Sequence, residues 1–313
     1  MRQQTVGVIG LIISILLLSF NGFAMHTIRS SKELKMKRFL VLALCLSISD
    51  SLIGLEFMYG SFLNVLQLND TGYRYQCMVV RQFIGGTVKS SLLQTLIICA
   101  ERINATFIVK QRILTGLTSN ISIAICLILP HVIALVRFGL DTLIGTFPCD
   151  DVKYTATLGF LYLHDIPAIF ICCLIALSYG VVIFRITKQQ KTIAVQVTGV
   201  TGNQTEIKRN LAFKMRQNLT TLGIIIGLTF ISNLPRSVLV LYSYIVGGSD
   251  KAMNYLWAAN NIFLLLNPLI DPFIYIFRIK KYRKHLKSSF KSICKSNRVT
   301  QITWKPINSL RYM

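Results

Sequence analysis

Long apolar runs separated by short polar connections dominate the chain. A helix needs about 20 mostly apolar residues to cross about 30 Å of hydrocarbon. Seven segments meet that requirement: 5–28, 39–67, 77–100, 120–138, 155–184, 218–246 and 253–277. They predict an all-α membrane protein, a seven-transmembrane helix bundle, with spans 1 to 7 in chain order. The first run is too long for a signal peptide and has no small-residue cleavage site before the basic stretch that follows it. After Phe277 the pattern changes. Ile279, Tyr282, Leu286 and Phe290 recur at helical spacing, with Lys280, Lys281, Arg283, Lys284 and Lys287 between them. That pattern predicts a short amphipathic helix lying against anionic lipid; a disordered basic tail is the plainer alternative. The chain therefore divides into a bundle over 1–277 and a basic cytoplasmic helix and tail over 278–313.

Composition agrees with the pattern. The 313 residues are 53% hydrophobic and 15% charged, with a mean hydropathy of +0.56. A soluble domain of this length carries more surface charge. The net charge of +22 raises nucleic acid as a partner, but its distribution argues against one. Arg29, Lys32, Lys35, Lys37 and Arg38 follow span 1, and Lys110 and Arg112 follow span 3. Arg185, Lys188, Lys191, Lys208, Arg209, Lys214 and Arg216 follow span 5, and the tail from Arg278 to Arg311 continues the series. The alternate connections hold only Arg74, Lys153 and Lys251. Basic connections mark the cytoplasmic side. The amino terminus is thus expected outside and the carboxyl terminus inside, in a multi-pass protein of the plasma membrane.

Charges inside a span are costly and so raise functional hypotheses. Here they are Asp50, Glu56, Lys89, His164, Asp165, Arg236 and Asp271. Glu56, Arg81 and Arg236 lie near span ends, where snorkelling to the interface is the simpler reading. Asp50 and Asp271 lie among long apolar runs, and Asn21, Asn233 and Asn267 add amides. Of the eight cysteines, Cys45, Cys99, Cys126, Cys172 and Cys173 fall in apolar runs, where packing is expected. Cys77 and Cys149 instead border polar connections, and Cys294 follows the basic helix as a candidate for palmitoylation.

Taken in order, the marks resemble those of rhodopsin-like (class A) G protein-coupled receptors over about 1–290. They are Asn21 in span 1; Leu46-Ser47-Ile48-Ser49-Asp50 in span 2; Cys77 opening span 3 and Glu101-Arg102-Ile103 closing it; Cys149 in the connection after span 4; Pro167 and Tyr179 in span 5; Pro235 in span 6; and Asp271-Pro272-Phe273-Ile274-Tyr275 in span 7. The resemblance implies a receptor that binds an extracellular ligand, a small molecule or short peptide, and activates a heterotrimeric G protein. It makes Arg102 the G protein contact, held at rest by Glu101. Pro235 becomes the kink of span 6, and Asp271, Pro272 and Tyr275 the switch in span 7. It implies a Cys77–Cys149 disulfide, on the oxidising side of the membrane. It also places Asp50, Ser91, Asn267 and Asp271 at a pocket for an allosteric sodium ion, with a protonated, ion-free network as the alternative. No other cofactor is implied.

The chain departs from the family pattern at Ile103, where tyrosine is usual, and at Asn233, where an aromatic side chain is usual. It lacks the tryptophan of span 4, and it separates Pro167 from Tyr179 by four extra residues. The expected ligand pocket comprises Ile84, Lys89, His164, Asp165 and Arg236. Leu265 stands where retinal would need a Schiff-base lysine, and Ile84 stands where amine receptors carry aspartate. Few residues precede span 1, so no large hormone-binding ectodomain is expected. Two readings of Lys89 stand together: with Arg236 and His164 it favours an anionic ligand, or it pairs with Asp165 as a structural ion pair. Asn69-Asp70-Thr71 is a glycosylation acceptor in the first outer connection. A transporter or channel is the alternative function, but the chain shows no inverted repeat. No hydrolase motif points to an enzyme.

Overall fold

The computed structural model describes residues 2–30, 38–66, 71–107, 109–144, 161–196, 202–246 and 251–278. Seven long helices account for nearly all of them: α1 (Arg2–Ser30), α2 (Arg38–Leu66), α3 (Thr71–Asn104), α4 (Asn120–Ile144), α5 (Ile166–Gln196), α6 (Gly202–Val246) and α7 (Lys251–Arg278). A short helix, Arg112–Leu117, lies between α3 and α4, and a π-helical turn, Leu161–Asp165, leads into α5. Six of the seven are long and apolar enough to cross a membrane among the described residues; α7 is not among those six. Each helix matches a predicted span, and most run past it; α5 starts later than expected, and positions 67 and 155–160 of the predicted spans lie outside the described residues. The largest excess is at α5 and α6, where much of the predicted basic connection is helical. The Lys-, Arg- and Gln-rich stretches there are good helix formers in water. At about 1.5 Å per residue α6 is roughly 68 Å long, more than twice the hydrocarbon thickness.

Six helices close into a ring in the order α1, α2, α3, α5, α6, α7, and α4 packs against α3 from outside it. α1 packs on α2 and α7, α2 on α3, α5 on α6, and α6 on α7, while α3 touches α2, α4 and α5. Close approach depends on small residues, as is usual between helices in lipid. A Cβ added at Gly10 would fall 2.3 Å from Ser61 Oγ, and one at Gly86 would fall 3.2 Å from the Pro130 carbonyl oxygen. The core between α2, α3, α5 and α6 is aliphatic, with Leu42, Leu46, Leu92, Ile98, Ile175 and Ile226 among its buried members.

The sides of the bundle invert the pattern of a soluble protein. Ile121, Ile125, Ile128, Leu129, Val132 and Val136 are exposed on α4, and Ile9, Ile12, Ile15 and Leu16 on α1. They recur at the i, i+3, i+4 spacing of one helix face. Stripes of this size would be a liability in water, whereas in lipid they are the solvated surface. Inside, Asn21, Asp50, Gln82, Thr87, Gln94, Asn260 and Asp271 are all buried. One of these amides answers a backbone defect. Pro272 has no N–H, so the Pro268 carbonyl four residues earlier loses its helical partner. Asn21 Nδ2 donates to that oxygen at 2.8 Å, tying α1 to α7 where the helix ladder is broken. Phe20 and Phe273 pack edge to face beside it, with centroids 4.7 Å apart.

Candidate functional site

The buried polar residues form a discontinuous axis through the bundle, with a cluster at each level. At the end of α3, Arg102 Nε lies 3.4 Å from Glu101 Oε2. The guanidinium also sits 3.9 Å from the centroid of the Phe39 ring on α2, a cation–π contact. Neighbouring residues join the helices at this level. Arg38 bonds to Asn120 Oδ1 and to the Thr118 carbonyl. Arg185 of α5 stacks on Phe107 and donates to Thr106 Oγ1 at 3.0 Å.

In the middle, Ser91 Oγ donates to Asp50 Oδ1 at 3.3 Å. Asp50 and Asp271 are fully buried and close enough for their charges to interact. Among the described residues, Asp50 Oδ2, Asn267 Oδ1 and both carboxylate oxygens of Asp271 have no hydrogen-bond partner. Four buried acceptors without donors are an expensive arrangement unless something fills it. Two turns earlier on the same face of α7, Asn260 is buried with neither amide atom partnered among the described residues.

The third cluster joins α3, the π-helical turn and α6. Arg236 Nε lies 3.8 Å from Asp165 Oδ1, and Lys89 Nζ donates to the Leu163 carbonyl at 3.1 Å. The ion pair of Asp165 is thus with Arg236 and not with Lys89, whose ammonium is turned to a carbonyl on the turn. Arg236 does not snorkel, because the carboxylate on the neighbouring element holds it inside. Ile84 is half-buried on α3. His164 packs flat against Gly85, where an added Cβ would fall 2.5 Å from Nδ1. Its Nε2 donates to Gln82 Oε1 at 3.0 Å, and Gln82 Nε2 donates to Asp141 Oδ2 at 3.2 Å. Arg137 grips Asp141 with two nitrogens, at 2.8 and 3.0 Å.

Glu56 also departs from the snorkelling expectation. Thr87 Oγ1 donates to Glu56 Oε1 at 2.6 Å and lies 2.9 Å from His131 Nε2, while His131 Nδ1 is 2.7 Å from the Leu127 carbonyl. One hydroxyl therefore ties α2, α3 and α4 together. Its single proton cannot serve both neighbours, so an ionised Glu56–His131 pair and a neutral pair each satisfy the geometry. Thr87→Val keeps the shape and removes the hydroxyl. It is expected to cost about 1–3 kcal/mol, because the half-buried Glu56 carboxyl and His131 ring both lose a partner. The midpoint of thermal unfolding in detergent should fall by several degrees, and Thr87→Ser should restore most of it. An unchanged midpoint for Thr87→Val would show that the contact carries no stability.

Sequence reasoning missed Gln82, Asp141, His131 and Phe39. A signal existed: Thr87, Ser90, Ser91 and Gln94 form a polar stripe at i, i+3, i+4, i+7 within an apolar span. Of the other expected residues, Pro235 is half-buried in α6 and Pro272 is buried in α7. Cys77, near the start of α3, is disulfide-bonded. Cys149, Asn69, the Tyr275 side chain, Cys294 and the helix expected after Phe277 lie outside the described residues.

Apolar flanks, a closed ring of long helices and a polar interior define a multi-pass helical membrane protein. Its arrangement is that of a known fold. The crystal structure of squid rhodopsin matches with a TM-score of 0.70 over 93% of this chain and 86% of that one, at 16% sequence identity. The chain therefore has the rhodopsin fold, a G protein-coupled-receptor-like bundle. No protein-family model and no curated protein sequence matches it.

Proposed function

We propose that the chain is a rhodopsin-like seven-transmembrane receptor of the plasma membrane that binds an extracellular small molecule or short peptide and activates a heterotrimeric G protein. The observation that carries this reading is the Glu101–Arg102 pair at the end of the innermost helix, on a bundle that superimposes on squid rhodopsin. Arg102 is the residue offered to the G protein. Pro235 and the Asp271-Pro272-Phe273-Ile274-Tyr275 segment weaken α6 and α7 where each lacks a backbone bond. Leu265, buried in the core, leaves no Schiff-base lysine there, so the ligand binds without that linkage. The basic connections and tail face the cytoplasm beside anionic lipid.

The test is a ligand screen on cells expressing the chain at their surface, with readouts for each G protein class. A ligand-dependent response in at least one class is expected. Silence of every class, with no change in basal signalling over untransfected cells, would count against the reading.

The middle cluster fits a sodium ion. The carboxylates, the amide and the hydroxyl each offer an oxygen, which suits a hard cation, and four of those oxygens lack a donor among the described residues. Asp50, Ser91, Asn267 and Asp271 would hold it.

Two expectations follow for the outer face. Cys77 should be joined to Cys149, pinning the second outer connection over the bundle mouth. Peptide mapping under non-reducing conditions checks this, and a free Cys149 in surface-expressed protein would contradict it. Glycan should be found on Asn69 and not at the other two acceptors, Asn104-Ala105-Thr106 and Asn203-Gln204-Thr205. The Asn104 amide is already engaged, donating to Thr115 Oγ1 at 3.1 Å. Glycopeptide mass spectrometry decides this, and sugar on Asn104 or Asn203 would reverse the orientation.

A further inference from the structure

We propose that the Asp165–Arg236 ion pair is a latch between the start of α5 and α6, opened by a small organic monoanion that binds Arg236 and Lys89 in place of Asp165. This rests on the receptor reading and adds the charge of the ligand and its point of action.

The latch is a poor one. At 3.8 Å the Arg236 Nε–Asp165 Oδ1 contact is beyond hydrogen-bond length. Asp165 Oδ2 is buried and has no hydrogen-bond partner among the described residues. The pair is held by Coulomb attraction without the parallel N–H···O bonds that the guanidinium fork is shaped to make. A free carboxylate can take both positions of the fork, which Asp165 does not.

The charge count points the same way. Lys89, Asp165 and Arg236 act on one another electrostatically, and two cations face one carboxylate. The other acids near this level are committed elsewhere among the described residues. Asp141 is gripped by Arg137, and Glu56 is bonded to Thr87 beside His131. His164, the remaining titratable neighbour, is bonded to Gln82. Among the described residues one positive charge is therefore left without a counter-charge in a low-dielectric interior, where such a charge is costly. A monoanion neutralises it. Ile84, half-buried on the same helix as Lys89, suits an apolar body behind the anionic group.

The position of Arg236 gives the competition an outcome. It follows Pro235, at which α6 already lacks one backbone hydrogen bond. Releasing Asp165 frees α6 from α5 at that weak point. A ligand that binds better to the released state shifts the population toward it.

The experiment uses the purified full-length chain in detergent with choline salts, which keep sodium out. Benzoate and hexanoate are compared with benzamide and hexanamide at constant ionic strength, reading thermal stability against concentration. The carboxylates should stabilise the wild type and the amides should not. Arg236→Gln and Lys89→Met should each weaken the carboxylate effect by about tenfold or more, as expected for losing a charge-assisted contact. Arg236→Lys, which keeps the charge, should retain part of it and so controls for misfolding. Asp165→Asn removes the internal competitor and should tighten carboxylate binding. Equal stabilisation by amides, no stabilisation by either carboxylate, an undiminished effect in Arg236→Gln, or weaker binding in Asp165→Asn would each overturn the proposal. Because this readout involves no G protein, its failure is separable from failure of the receptor reading.

Discussion

Arg102→Ala is expected to abolish G protein activation while leaving surface expression close to wild type. The two effects separate because the folded chain uses Arg102 lightly. Its side chain is 24% exposed and that of Glu101 is 20% exposed. An ion pair so placed contributes at most about 1 kcal/mol, and the Phe39 stacking contributes about as much. The fold survives such a loss. Activation loses far more. The guanidinium stays charged in any environment and carries five donors in a rigid fork, suited to backbone carbonyls on an inserted helix. Two charge-assisted bonds at roughly 1.5–3 kcal/mol each correspond to at least about a hundredfold in the activated complex. Glu101→Gln weakens the restraint on Arg102 without removing the fork, so basal signalling should rise. Surface labelling and second-messenger output in the same cells check both variants. Normal signalling by Arg102→Ala would remove the proposed mechanism.

Agonist affinity is expected to fall as sodium rises, and Asp50→Asn should blunt that dependence. Asp50 and Asp271 are both fully buried, and among the described residues only Ser91 donates to either of them. Two carboxylates in such a place cannot both stay charged without help, and they titrate as a unit. A cation between them would satisfy the oxygens of Asp50, Asn267 and Asp271 that lack a donor among the described residues. An ion that fits the contracted pocket better than the expanded one favours the resting state by that difference in affinity. The measurement is agonist binding at constant ionic strength, with choline replacing sodium. A parent receptor indifferent to sodium would leave a protonated network as the better account.

The fold was legible because lipid imposes long apolar runs, and each of the seven helices contains most of its predicted span. The family resemblance groups Asp50, Ser91, Asn267 and Asp271; of these, Ser91 donates to Asp50, and Asp271 lies close enough for its charge to act on Asp50. What the sequence concealed was partnership. Glu56 looks like a residue at the edge of a span; only the rotation of α3 against α4 brings Thr87 and His131 to it. Lys89 and Asp165 look like a pair by charge alone. The π-helical turn at Leu161–Asp165 turns a carbonyl to the lysine and the carboxylate to Arg236. Neither the turn nor the rotation leaves a periodicity in the chain. Asn21 bonding the carbonyl freed by Pro272 likewise depends on which helices are neighbours.

The central claim is coupling to a G protein, and guanine nucleotide exchange tests it most directly. The chain, reconstituted in lipid discs, is presented with purified heterotrimers of each class, with Arg102→Ala in identical discs as the blank. The account predicts faster nucleotide exchange than the blank for at least one class, increased further by Glu101→Gln. Exchange rates equal to the blank for every class, with both Glu101→Gln and the parent folded in the discs, would contradict it.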